Sequence, residues 1–198
     1  MLQVMSHLPG YVNGSRSALM IAWALTCVFF LVGMLRANRI SSREAGAARL
    51  LDALLLWSGY YFLFVPLVPW AALNRRFAPL AVAPWTAAVA ILGLFLACFS
   101  RYFLGRYWSG TVALKQDHKL IQNGPYRFVR HPLYSGLLLA VFGTACAFGI
   151  WHRLLGAGLI LACFLRRAFM EDRLMQSRFG DEFAAYRRRT GQIVPGIG

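Results

Sequence analysis

Charge is absent from four long stretches of this chain. Residues 17–35, 53–74, 79–100 and 133–152 are uncharged runs of 19, 22, 22 and 20 residues, and roughly 20 apolar residues cross a hydrocarbon core of about 30 Å. A fifth apolar run, 154–165, has only 12 residues. It predicts either a half-deep helix or one completed by its flanks. Pro66 and Pro69 fall late in the second run and predict a kink or an early helix end there. Beyond residue 166 the pattern changes. Met170, Leu174 and Met175 recur at helical spacing, and Phe179, Phe183 and Tyr186 extend the apolar stripe past Gly180. Phe179-Gly180-Asp181-Glu182 reads as a helix stop followed by a new N-cap. The pattern therefore predicts an all-α polytopic membrane protein with about five transmembrane helices. Two amphipathic C-terminal helices would lie against the cytoplasmic face. Residues 1–100 form a three-span scaffold and residues 101–198 the chemically active half, within a single structural domain.

Composition agrees: 59% of the 198 residues are hydrophobic, too many for an ordinary soluble domain. The net charge of +14 would suit nucleic acid, but no recognition motif accompanies it. Its placement fits a membrane instead. Segments 36–49, 101–130 and 166–189 hold 4, 6 and 7 Lys/Arg, which is 17 of the 21. Arg16, Arg75, Arg76 and Arg153 make up the rest, at the other ends of the runs. The positive-inside rule then gives an outside N-terminus, five crossings, and an active site and C-terminus in the cytoplasm. Anionic lipids are the expected partners of the basic loops. The N-terminus lacks the basic region and cleavage site of a signal peptide, so 17–35 reads as a retained span. Cys27, Cys98, Cys146 and Cys163 lie in apolar runs without a CxxC pair and read as small buried hydrophobes.

Chemistry concentrates after Arg101. About 30 residues separate two spans there, which is long for a mere connection. That segment ends in Tyr126-Arg127-Phe128-Val129-Arg130-His131-Pro132-Leu133-Tyr134, polar groups set at the mouth of an apolar run. Pro132 suits the first turn of a helix and pushes His131 out of helical geometry. The helix N-terminus beside His131 is then a ready anion site with Tyr134 one turn in, or else these residues are interfacial anchors. Arg167 and Glu171 share a helix face. They form either an ordinary ion pair or a cation and a carboxylate aimed at one pocket. Such a pocket suits a zwitterionic amino-acid moiety, carboxylate toward His131 and ammonium at Glu171. Asp172 points about 100° away and would order its neighbours.

Six elements in order resemble the isoprenylcysteine carboxyl methyltransferase family, over about residues 105–195. They are Gly105-x-x-Trp108-Ser109, His118-Lys119-Leu120-Ile121, Gly124-Pro125-Tyr126, Arg130-His131-Pro132-Leu133-Tyr134, Arg167-x-x-x-Glu171-Asp172 and Phe179-Gly180-Asp181-Glu182-Phe183-x-x-Tyr186. The resemblance implies an integral membrane methyltransferase using S-adenosylmethionine. It implies cofactor contacts at His118, Lys119, Leu120, Ile121, Tyr126, His131, Pro132, Leu133, Tyr134 and Glu171. It assigns Arg167 to the carboxylate of a lipophilic substrate that enters from the bilayer. The family's second acid is usually glutamate; here it is Asp172. A sulfonium and a carboxylate partly neutralise each other as a methyl passes between them, which a water-poor pocket favours without a general base. Rival readings are a phospholipid or amine methyltransferase with the same cofactor site, a nicotinamide-dependent reductase, and a non-catalytic membrane protein.

Overall fold

The computed structural model describes residues 9–35, 40–43, 46–108, 113–115 and 119–197. Among them run five helices: α1 Gly10–Leu35, α2 Gly46–Phe64, α3 Ala83–Leu104, α4 Pro132–Phe148 and α5 Trp151–Arg189. A two-stranded antiparallel ribbon joins β1 Ile40–Arg43 to β2 Ala113–Lys115. The ends obey local chemistry. α2 stops at Phe64 because Pro66 bars the residue before it from helical geometry. The second apolar run therefore ends as helix ten residues early, and the chain continues through a short 3-10 turn at Ala71–Asn74. α4 opens on Pro132 and closes on Gly149, whose φ of 66° is left-handed. At Gly180 the long α5 breaks, with φ 51° and ψ −121°, where the stop signal was read.

Small residues set the helix packing. A Cβ on Gly93 of α3 would stand 2.5 Å from the Ala140 backbone nitrogen and 2.6 Å from the Gly136 carbonyl oxygen of α4. On Gly136 it would meet the Ala97 nitrogen at 2.6 Å. α2 and α5 meet in the same way, with a Cβ on Gly156 falling 2.5 Å from the Gly59 carbonyl. Backbones this close gain dispersion contact, the main attraction left between helices once lipid removes the hydrophobic drive. α1 is tied in by polar bonds: Trp23 Nε1 donates to Thr144 Oγ1 on α4 at 2.9 Å.

The two ends of the bundle differ. At one end, Arg16 donates to the Ala147 and Phe148 carbonyls at the close of α4, and Arg153 to the Leu63 carbonyl at the close of α2. Cations on carbonyls that have run out of helical donors offset the negative end of the dipole. At the other end the ribbon pairs Ile40 with Lys115 and Arg43 with Ala113, which brings the basic 36–49 and 101–130 loops together.

Large apolar residues face outward along α1 and α3, among them Leu25, Leu31, Leu92 and Phe95, each 60% exposed or more. Among the described residues, Gly10–Gly33 and Leu80–Leu104 are long and apolar enough to cross a membrane. The 17-residue α4 is shorter, and α2 carries Arg49 and Asp52. The count of five crossings thus remains an expectation. All four cysteines are free; Cys163 is buried as expected, whereas Cys27 lies on the outer face.

Candidate active site

At the ribbon end a cavity opens between the start of α4, the middle of α5 and the 119–130 segment. Lys119, Leu120, Ile121, Tyr126, His131, Leu133, Tyr134 and Glu171 all line it, so most of the sequence-derived cofactor residues converge. Pro132 is buried behind the wall and does not line it. His118 lies outside the described residues. Leu104, Tyr107, Trp108, Arg130, Asp172, Met175, Phe183 and Tyr186 complete the wall.

Its polar floor is built around one imidazole. His131, the last residue before α4, donates from Nε2 to Asp172 Oδ1 at 2.8 Å and faces Glu171 Oε2 with Nδ1 at 3.3 Å. Two carboxylates on two ring nitrogens call for both nitrogens protonated. Burial alone would lower the His131 pKa, but the hydrogen bonds and charges of Asp172 and Glu171 outweigh it and raise it to about 9. The ring stacks on Tyr134 at 14° and 5.6 Å, and Tyr134 stacks in turn on Phe164. The Tyr134 hydroxyl donates to Glu171 Oε1 at 2.6 Å.

Asp172 does leave the Glu171 face, as its helical position requires, yet it is the hub of the floor. Its Oδ2 accepts from Arg130 Nε at 3.3 Å and from Gln192 at 3.0 Å. Burial works to raise its pKa, but His131 and Arg130 hold it below the usual value of 3.8. The anion site imagined beside His131 changes accordingly. Both ring nitrogens are committed to this protein's own acids, so the imidazole closes the floor instead of receiving a ligand carboxylate.

The C-terminal segment straps this floor in place. Arg130 N–H donates to the Gly191 carbonyl at 2.9 Å and His131 N–H to Gln192 at 3.0 Å, while Arg130 Nη1 reaches the Thr190 carbonyl. After the Gly180 break, α5 folds Phe183 and Tyr186 into the cavity wall, 2% and 3% exposed. The Tyr186 hydroxyl donates to the Tyr126 carbonyl at 2.6 Å. The last helical piece therefore roofs the site and does not merely float on the face of the bundle.

Arg167 sits apart from the cavity wall. Its Nε donates to Asp52 Oδ2 at 3.0 Å, although its charge remains within electrostatic reach of Tyr134 and Glu171. Asp52 is the residue that sequence reasoning missed. It stands one position outside the uncharged run at 53–74, where a charge reads as the edge of a span.

The geometry now has company among known proteins. A family model described as phospholipid methyltransferase matches residues 82–182, the stretch that holds α3, α4 and most of the cavity wall. The chain belongs to the phospholipid methyltransferase family. The chain is similar to the protein-S-isoprenylcysteine O-methyltransferase of Schizosaccharomyces pombe, 33% identical over 52% of this chain and 45% of its own length. The cobalt-zinc-cadmium resistance protein CzcN of Cupriavidus metallidurans is 31% identical over 78% of this chain and 71% of its own. Among solved structures, the eukaryotic intramembrane Ras methyltransferase, an isoprenylcysteine carboxyl methyltransferase, shares the fold. Its TM-score is 0.51 at 23% identity, covering 78% of this chain and 54% of that one. The chain thus spans about half the length of that fungal relative and of that structure. The isoprenylcysteine methyltransferase resemblance read from the six motifs holds, and the outward apolar faces of α1 and α3 are those of a membrane protein of this family.

Proposed function

We propose that this protein is a membrane methyltransferase using S-adenosylmethionine to methylate the carboxylate of an isoprenylcysteine-like or other lipophilic acceptor. The observation that carries the reading is the state of Glu171. Its carboxylate is fixed from two sides by Tyr134 and His131, yet its side chain keeps 24% exposure in a cavity lined mostly by apolar and aromatic side chains. A carboxylate has about four lone-pair sites, so Glu171 retains capacity for an ammonium group. The fit supports the cofactor's amino-acid end at Glu171, with residues 119–121 and Tyr126 along the adjoining wall.

When bound, S-adenosylmethionine supplies a methyl group carried on a sulfonium. Glu171, held rigid by Tyr134, orients the amino-acid end. Phe183 and Tyr186, folded over the site by the Gly180 break, exclude water. Arg167, at the α2 side of the Tyr134–Glu171 pair, docks the acceptor's carboxylate by charge-assisted hydrogen bonds. A carboxylate needs no deprotonation, so positioning and a dry environment are the residues' main contributions. The site and C-terminus face the cytoplasm in this reading, anionic lipids bind the basic loops, and the acceptor enters from the bilayer. The orientation and the lipid contact rest on the 17-to-4 split of Lys/Arg between the two ends, and entry from the bilayer on the family resemblance.

A phospholipid amine is the second acceptor reading, favoured by the description of the matching family model. One experiment separates the two. S-adenosylhomocysteine is titrated calorimetrically into the detergent-solubilised protein. Labelled methyl transfer is then followed to S-farnesylcysteine and to phosphatidylethanolamine. A base-labile methyl ester on the first supports the carboxylate reading, and a base-stable methyl on the second supports the amine. Absence of cofactor-product binding overturns both.

A further inference from the structure

Asp52 lies in α2, in the half of the chain that sequence reasoning left to scaffolding, and is 2% exposed. Burying a carboxylate is costly unless charged partners meet it. Here the partners are two consecutive arginines of α5. Arg166 Nε reaches Oδ1 at 3.0 Å and Arg167 Nε reaches Oδ2 at 3.0 Å, one oxygen for each. Consecutive helical residues point about 100° apart, yet both heads converge on this one carboxylate. Arg166 also donates to the Ala48 carbonyl at 2.6 Å, one turn earlier on α2, and Cys163 Sγ donates to the Asp52 carbonyl at 3.6 Å. Asp52 itself does not line the cavity; Arg167, which it holds, lies within electrostatic reach of Tyr134 and Glu171.

We propose that Asp52 is a positioning residue that holds the Arg166 and Arg167 guanidinium groups side by side from α2 and so sets where the acceptor's carboxylate docks. A bond to Nε fixes the plane of a guanidinium as well as its place. Orientation is what a positioned methyl transfer requires. The role rests on the carboxylate-acceptor reading above, and its test has an arm that does not depend on that reading.

The test uses the full chain in detergent, with Asp52→Asn, Asp52→Glu, Arg167→Lys and the Asp52→Asn/Arg167→Lys pair. Asp52→Asn keeps the shape but offers one acceptor oxygen to two donors. It is expected to lower kcat/KM for S-farnesylcysteine roughly tenfold, mostly through KM, while S-adenosylhomocysteine affinity stays within about twofold. Asp52→Glu is expected to recover part of the loss. In the Arg167→Lys background Asp52→Asn should cost no more than about a further twofold, because both changes disturb one contact. Losses that multiply, or cofactor affinity falling by the same factor as turnover, overturn the role. The arginine Nε–H signals in NMR read the contact without any acceptor: slow exchange at both in the parent, fast exchange at one or both in Asp52→Asn. Equal exchange in both proteins overturns the role of Asp52. A parent that binds S-adenosylhomocysteine but methylates no carboxylate overturns the acceptor reading instead, and the NMR result then decides for Asp52 alone.

Discussion

Neighbouring acids on α5 divide the labour of the site between them. Glu171 is partly exposed and faces the cavity, whereas Asp172 is buried beneath it, bonded to His131, Arg130 and Gln192. Glu171→Ala should therefore weaken S-adenosylhomocysteine binding by about 1.5–3 kcal/mol, the scale of a hydrogen bond to a charged group, and should lower the melting temperature less than the loss of Asp172 does. Asp172→Ala leaves the 1%-exposed Arg130 side chain without its carboxylate and should destabilise the fold by about 3–5 kcal/mol. Calorimetry and thermal melting on both variants separate the two roles. The raised His131 pKa gives a pH prediction. The folded value, about 9, exceeds the ordinary 6.5, so its stabilisation is complete below pH 6.5 and is lost as pH rises through about 9. Asp172 is shifted down, and its share is lost only as pH falls below 3.8. Melting temperature should accordingly drop as pH rises from about 6.5 to about 9, and His131→Gln should remove that step. The helical wheel told correctly that Asp172 leaves the Glu171 face. It could not tell that an imidazole with two nitrogens on opposite edges reaches both faces at once. Asp52 was less legible still: its partner Arg166 is 114 residues away in the chain, a separation no local pattern encodes.

Helix packing is decided by positions with no side chain. Gly93 and Gly136 let α3 and α4 touch through their backbones, so Gly93→Ala forces atoms with no rotamer to yield. The expected loss is about 1–3 kcal/mol, read as a lower melting temperature in detergent. Gly158→Ala is the control, since a Cβ there meets nothing within 4 Å; it should be neutral or slightly stabilising through helix propensity. The sequence marked most helix boundaries because prolines and glycines carry them. Pro132 and Gly149 bound α4, and Gly180 breaks α5 where expected. Beyond the hairpin of its last two apolar runs, it was silent on which helices pair, since an uncharged run is equally apolar on its lipid and protein sides. The ribbon was missed too, because its partners lie in two different loops.

For the whole molecule, the pairing of β1 with β2 puts two basic loops at one end, opposite Arg16 and Arg153. If that end is cytoplasmic, Arg75→Cys should react with a membrane-impermeant maleimide on intact cells. Arg178→Cys should react only after permeabilisation, with the parent chain as blank. The reverse labelling pattern inverts the proposed orientation. The strap at residues 190–193 has a further consequence, for the order in which the protein comes to exist. Arg130 waits for Thr190, 60 residues later, and all the apolar runs precede that point. On the ribosome, every hydrophobic segment has left the peptidyl-transferase centre before the floor of the site can be closed. A product that terminates before Thr190 would therefore hold its place in the lipid as a bundle while lacking the chemistry, and would occupy membrane without turning over anything.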